Sequence, residues 1–266
     1  MTPRLVALDI DGTLVDAHGL VSRRVLDAVT AVADAGAHIV VATGRSAFAT
    51  WPVIRALGLT DGHAVASNGA VTFTHPPVRV TSRATFDARP AVELVLQHVP
   101  GALVAVEVVG DGYRINRHFP AGEISGPMTL QSVDQLVSEP VTRVIIRDPR
   151  SSAQEFQELA EKIGLHGINY YVGYTAWLDL APEGVSKASG LVKVAAELGV
   201  SASDVLAIGD GRNDLEMLSW AGRGVAMGQA PDEVKAVADD VTGTIEADGV
   251  ASELDRWFPL ESTRAS

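Results

Sequence analysis

Cysteine is absent from the 266 residues, so disulfides, thiol nucleophiles and thiolate metal sites are excluded. That composition suits a reducing compartment. Positive charge is also short: 33 acidic residues face 21 basic ones, giving a net charge of −12 and a pI near 4.9. Nucleic-acid binding normally needs a basic footprint, so no nucleic-acid partner is expected. The same balance does not exclude a small anion, because a local cation can dominate its own site. No apolar run nears the length of a membrane-spanning helix. Only four apolar residues, Leu5–Leu8, lead into Asp9, too few for the core of a signal peptide. The expectation is a cytoplasmic protein with no membrane partner. Internal repeats and low-complexity stretches are also missing. The chain is 47% hydrophobic, ample for one large domain or two moderate ones.

Residues 5–8 are wholly apolar, the pattern of a strand buried on both faces. Ser22 reads as the N-cap of a helix carrying Val25, Val29 and Val32, stopped by Gly36. Residues 39–42 form a second such strand, followed by a helix to about Leu57 with a Gly58 stop, and 64–66 a third strand. This alternation predicts right-handed crossovers and a parallel sheet. From 82 to 184 the texture changes. A Gly110-Asp111-Gly112 hairpin signal separates strands at 103–109 and 113–116. Further strands are expected at 141–147, 169–173 and 177–181, and helices near 88–98 and 152–163. Turn-rich junctions bracket this unit, Pro76-Pro77 before it and Pro182-Glu183-Gly184 after it. The α/β alternation then resumes, with strands at 205–208 and 225–227 and helices through Leu191–Leu198, 215–220 and 234–238. The predicted fold class is α/β: a Rossmann-like parallel-sheet core from residues 1–81 and 185–266, with an inserted α+β cap over 82–184. The tail beyond Pro259 is expected to be dispensable.

Three motifs close apolar runs: Asp9-Ile10-Asp11-Gly12-Thr13, Thr43-Gly44-Arg45 and Gly209-Asp210-Gly211-Arg212-Asn213-Asp214. Lys187 stands apart, near a helix start. In an open parallel sheet the carboxyl ends of strands lie side by side, and ligands bind just outside them. Residues far apart in sequence can therefore share one site. On an extended strand Asp9 and Asp11 would share a face, but a turn at the strand exit can splay them, and Gly12 permits that turn. A carboxylate is a nucleophile in phosphoryl transfer, but it approaches a phosphate dianion only when charge is neutralised. Mg²⁺ prefers one or two carboxylates, waters and phosphate oxygens, and Asp210 and Asp214 are further candidate ligands. The second carboxylate of the first motif could protonate the leaving oxygen and later deprotonate water.

Each residue also has a plainer explanation. A lone Asp after a strand is usually a turn former or a helix cap, and Thr43-Gly44 alone would be an ordinary turn. Two Asp pairs, both at strand exits and both beside glycine, favour a site. Lys187 alone would be a solvated first-turn residue, yet a cation is unfavourable near a helix N-terminus. The chain has only four lysines against seventeen arginines, which gives that placement weight. The stretch Gly209-Asp210-Gly211 lacks dinucleotide-binding spacing. The seven histidines have no ligand spacing and are read as structural.

The order Asp-x-Asp-Gly-Thr, Thr-Gly-Arg, Lys, Gly-Asp-Gly-x-Asn-Asp resembles the haloacid-dehalogenase-like phosphohydrolases. Ser67-Asn68-Gly69-Ala70, Gly184-Val185-Ser186-Lys187, Val225-Ala226-Met227-Gly228 and Asp248-Gly249-Val250-Ala251 are similar to the Cof-type subfamily, which carries an α/β cap. Ala188 departs from the pattern, in which glycine often follows the lysine; an effect on helix packing alone is expected. The resemblance implies that Asp9 is the nucleophile, forming an aspartyl-phosphate, and Asp11 the general acid and base. Mg²⁺ would be held by the Asp9 side chain, the Asp11 backbone carbonyl and Asp210, with Asp214 binding directly or through water. Thr43 and Gly44 would donate hydrogen bonds to the phosphoryl group, Lys187 would neutralise charge, and Asn213 would orient the site. Arg45 and Asn68 match positions facing the phosphate or the cap.

The expected function is a Mg²⁺-dependent phosphatase of small phosphorylated metabolites, sugar phosphates or a phosphorylated cofactor. The alternatives are a phosphomutase of the same fold and a catalytically silent sugar-phosphate sensor. The intact Asp9, Asp11 and Lys187 argue against the sensor. Substrate choice is expected to lie on the cap, where Glu107, Arg114, Asn116, Arg117 and Asp179 are the candidate polar residues.

Overall fold

A computed structural model describes residues 1–163, 168–172 and 176–259. The first elements are β1 (Leu5–Leu8), α1 (Arg23–Asp34), β2 (His38–Ala42), α2 (Ala47–Ala56) and β3 (Gly62–Ala66). The Ser22 hydroxyl accepts the Val25 N–H at 3.1 Å, and α1 buries Val25, Ala28, Val29 and Val32, so cap and periodicity act as the sequence predicts. Next come β4 (Val71–His75) and β5 (Arg79–Arg83), then α3 (Arg89–His98), β6 (Leu103–Val108), β7 (Gly112–Ile115), β8 (Met128–Leu130), α4 (Val133–Leu136), β9 (Val144–Arg147), α5 (Ala153–Ile163), β10 (Ile168–Val172) and β11 (Trp177–Pro182). The chain closes with α6 (Lys187–Leu198), β12 (Val205–Gly209), α7 (Leu215–Trp220), β13 (Arg223–Ala226), α8 (Asp232–Val237), β14 (Asp240–Val241) and α9 (Gly249–Leu254).

Among the described residues these strands form an eight-stranded sheet, β14-β13-β12-β1-β2-β3-β4-β5, and a six-stranded sheet, β10-β11-β9-β6-β7-β8. In the first, β14 through β3 run parallel. Residues of alternating parity enter two cores. Val6 and Leu8 pack with α1, α2 and α9, whereas Leu5 and Ala7 pack with α6 and α7. This is a three-layer α/β/α arrangement, and full burial of each Val or Leu is worth about 1.5–3 kcal/mol. In the second sheet, Val104, Val106, Val144, Ile146, Leu178 and Leu180 pack against α3 and α5. Their odd-numbered neighbours Leu103, Ala105, Tyr113, Ile145 and Trp177 occupy the opposite face. No described helix is long and apolar enough to cross a membrane.

Two features differ from the sequence expectation. The strands β4 and β5 are antiparallel and extend the first sheet to Arg83, two residues into the stretch assigned to the cap. Pro76-Pro77 is the turn between them and not a junction. The sequence of β5 (RVTSR) carries a weak apolar signal because it lies at the sheet edge with much of its surface exposed, and buried β4 (VTFTH) interleaves threonines with its apolar residues. Elements β8, α4, β14 and α9 were also not anticipated; all are six residues or shorter. The end of the strand expected at 169–173 and the tail after Pro259 lie outside the described residues.

Candidate active site

The strands β1, β2, β3 and β12 end at one edge of the first sheet, and each carries a polar residue just beyond its last apolar one: Asp9, Thr43, Ser67 and Asp210. Asp9 continues the odd-numbered face of β1, the side covered by α6. Lys187 is the first residue of α6, capped by Ser186, and is wholly buried. Its ammonium donates to Asp9 Oδ1 and to Asp214 Oδ1, both at 2.6 Å. The helix gets this close because two glycines give way. A Cβ on Gly69 would lie 1.9 Å from the Ser186 carbonyl oxygen, and one on Gly190 would lie 2.5 Å from Val65 Cγ1. The turn that holds Gly69 is left-handed throughout, with φ of 52°, 51° and 95° at Ser67, Asn68 and Gly69. Such strain in non-glycine residues gathers at functional sites.

Asp9, Asp210 and Asp214 each offer an oxygen within 4.8 Å of the others, and all three are buried. Asp214 is the most committed: its Oδ2 also accepts the N–H groups of Asp210 (3.0 Å) and Gly211 (2.9 Å). Burial drives Asp9 well above the usual carboxylate range, against the pull of Lys187 and helped by Asp214 and Asp210. Asp210 is pushed up to about 6 by burial and then by Asp214. Burial draws the Lys187 ammonium down, but Asp214 and Asp9 outweigh it and hold the ammonium above its ordinary value. Three crowded carboxylates facing one ammonium leave a local negative excess. This hard, all-oxygen donor set fits Mg²⁺. Gly12 makes room beside Asp210: its φ is +81°, and a Cβ there would lie 2.2 Å from Asp210 Oδ2. Gln229, which has no sequence signal of its own, donates to the Gly12 carbonyl at 2.6 Å.

Asp11 points away from this cluster. Its carboxylate is 62% exposed and accepts from Arg45 Nε (2.9 Å) and Nη2 (2.5 Å), so only its backbone remains as a metal candidate. The two aspartates are therefore splayed by the strand exit. The Thr43 hydroxyl accepts the Arg45 N–H at 3.1 Å, and Asn213 Nδ2 donates to Asn68 Oδ1 at 2.9 Å across Gly44. Asp9, Asp11, Thr43, Gly44, Arg45, Asn68, Asp210 and Asn213 all line one cleft of about 720 Å³.

The second sheet forms the opposite wall of that cleft. Of the five polar residues proposed from the sequence, only Asp179 lines it. Arg114 pairs with Glu139, Asn116 bonds the backbone of Val104 and Ala102, and Arg117 reaches the Gly101 carbonyl. Glu107 is buried against the first sheet: it accepts from Ser67 Oγ (2.5 Å), Thr142 Oγ1 (3.3 Å) and the Ala47 N–H (3.4 Å). The residues that do face the cleft include Tyr113, Glu123, Arg143, Tyr171 and Trp177. Strand parity was the available signal, since Arg143, Trp177 and Asp179 alternate with buried aliphatics.

The profile of the haloacid dehalogenase-like hydrolases matches residues 6–254. The chain belongs to this family. It is 30% identical over 273 residues to 5-amino-6-(5-phospho-D-ribitylamino)uracil phosphatase YitU of Bacillus subtilis, covering 97% of this chain and 98% of that protein. It is 29% identical over 269 residues to pyridoxal phosphate phosphatase YbhA of Escherichia coli, covering 94% and 97%. The structure of BT1666 from Bacteroides thetaiotaomicron, studied among phosphatases of the superfamily, superposes with a TM-score of 0.80 at 28% identity, over 97% of this chain and 96% of that one. These relatives are named as phosphatases, consistent with a haloacid dehalogenase-like hydrolase that acts on phosphoric monoesters.

Proposed function

We propose that the chain is a Mg²⁺-dependent phosphatase of small phosphorylated metabolites, working through an aspartyl-phosphate on Asp9. The observation that carries this reading is the Lys187 ammonium, 2.6 Å from both Asp9 and Asp214, beside Asp210. A buried carboxylate oriented by an ammonium is a poised nucleophile. Asp9, Asp210 and the Asp11 backbone would hold the cation, with Asp214 supporting it. When bound, Mg²⁺ would offset the charge of the phosphate dianion. The Thr43 hydroxyl, the Gly44 N–H and Lys187 would hold the phosphoryl oxygens, with Asn68 and Asn213 fixing the wall behind Gly44.

Asp9 attacks phosphorus while the ester oxygen leaves, taking a proton from Asp11. Asp11 then deprotonates a water, which attacks the same phosphorus and returns the Asp9 carboxylate and inorganic phosphate. In this structure Asp11 is held by Arg45 at the cleft mouth, so Arg45 keeps the proton carrier near the surface until substrate enters. Residues 84–182, carrying the second sheet, would act as the cap that covers the leaving group.

The test is release of inorganic phosphate from a panel of phosphomonoesters, with and without exhaustive chelation. Activity that Mg²⁺ restores after chelation is expected. Full activity without metal would sink the site as drawn, and isomer formation without free phosphate would assign a mutase.

A further inference from the structure

We propose that Trp177 is a fixed stacking platform in the cap wall, and that the preferred leaving group is a planar heteroaromatic alcohol and not a sugar. This deepens the phosphatase reading and rests on it. Trp177 and Asp179 on β11, Arg143 just before β9 and Tyr113 on β7 line the same cleft as Asp9 and Asp210.

The indole is held from two sides. Its Nε1–H donates to Asp179 Oδ2 at 3.3 Å, and its ring meets Phe119 edge-on, centroids 6.2 Å apart at 71°. Asp179 is itself clamped by Arg143, whose Nε and Nη2 donate to its two oxygens at 2.6 and 2.9 Å. Arg143 Nη1 donates to the Tyr113 hydroxyl at 3.3 Å, and both residues are buried. A ring oriented before the ligand arrives loses little freedom on binding.

The same network decides between ligand classes. The charged residues that this wall presents are already engaged: Arg143 and Asp179 bond each other, and Glu123 accepts from Nε and Nη2 of Arg147 behind it. A polyhydroxylated leaving group needs a partner for each hydroxyl it brings out of water, and a site that leaves them unpaired selects against it. A planar ring needs mainly an aromatic surface to lie against, and Trp177 is the indole that lines the cleft.

The experiment compares pyridoxine 5′-phosphate, which has a heteroaromatic ring and no aldehyde to react with lysines, with glucose 6-phosphate and glycerol phosphate. Wild-type enzyme should give the highest kcat/KM on pyridoxine 5′-phosphate. Trp177→Leu should lower that value by about tenfold or more, chiefly through KM. The same variant should leave glycerol phosphate within about twofold, since it carries no ring to stack. Trp177→Phe should recover most of the loss. A wild-type preference for glucose 6-phosphate overturns the proposal, as does an equal loss on glycerol phosphate. Calorimetric binding of the same three compounds keeps the two readings separable. If none is hydrolysed, the phosphatase reading is decided by the wider panel of phosphomonoesters, and the platform is overturned unless Trp177→Leu weakens binding of pyridoxine 5′-phosphate alone.

Discussion

Lys187 sets the charge balance of the site, because it is the buried cation between Asp9 and Asp214. Lys187→Met should cost about 3–5 kcal/mol in denaturant unfolding, since it strands two buried carboxylates. The loss should shrink in acid, where Asp9, raised by burial, is protonated. The metal prediction follows from Asp210, whose value in the fold, about 6, lies above its ordinary 3.8. Its contribution to stability is therefore complete below 3.8 and is lost as pH rises through 6. A bound cation restores the ionised form. Saturating Mg²⁺ should consequently raise Tm more at pH about 7.5 than at about 5; an equal shift at both would mean that neither Asp210 nor Asp9, also raised by burial, gives up a proton to bind it. For the chemistry, Asp9→Asn should eliminate any trapped phosphoryl group. Asp11→Asn should slow turnover roughly 10²–10⁴-fold while the nucleophile stays in place. A phosphoryl group mapped to Asp11 would reverse the two roles.

At the scale of elements, the seating of α6 on the turn after β3 brings Lys187 into the site. That seat depends on Gly69, whose Cβ position is already occupied by the Ser186 carbonyl. Gly69→Ala should destabilise the fold by more than about 3 kcal/mol, because backbone on both sides must move. Gly36 is the control: its φ is +77°, but nothing lies within 4 Å of its Cβ position. Gly36→Ala should cost only about 1–2 kcal/mol, the price of the left-handed conformation. Comparable Tm values for the two variants would mean that the contact at Gly69 relaxes easily.

Across the whole molecule, the two sheets meet at Glu107. This carboxylate belongs to β6, yet it bonds Ser67 and the first N–H of α2, the two segments that flank the Thr43-Gly44-Arg45 loop. Burial raises it above the usual range, with Arg143 pulling the other way. Glu107→Ala should leave the buried Ser67 hydroxyl unpaired, at about 1–3 kcal/mol. It should also lower kcat/KM for all phosphomonoesters alike and speed amide exchange at 43–47 and 67–69. A re-ranking of substrates by Glu107→Ala would instead make it a reader of the leaving group.

The alternation of buried strands and amphipathic helices was legible in the sequence because those periodicities are local. Ser22, Val25, Val29 and Val32 specify α1 without help from the rest of the chain. The placement of Asp9, Thr43 and Asp210 at strand exits was legible for the same reason, once parallel strands were inferred. The antiparallel β4–β5 extension was not, because an edge strand with one wet face carries little apolar pattern. Nor was the direction of Glu107, Arg114, Asn116 and Arg117. A side chain's face follows from strand parity, but what lies opposite that face follows from sheet order and from how two sheets pack. The distances from Lys187 to Asp9 and Asp214 belong to the same class. They join residues 178 and 27 positions apart, and only the close packing allowed by Gly69 and Gly190 decides them.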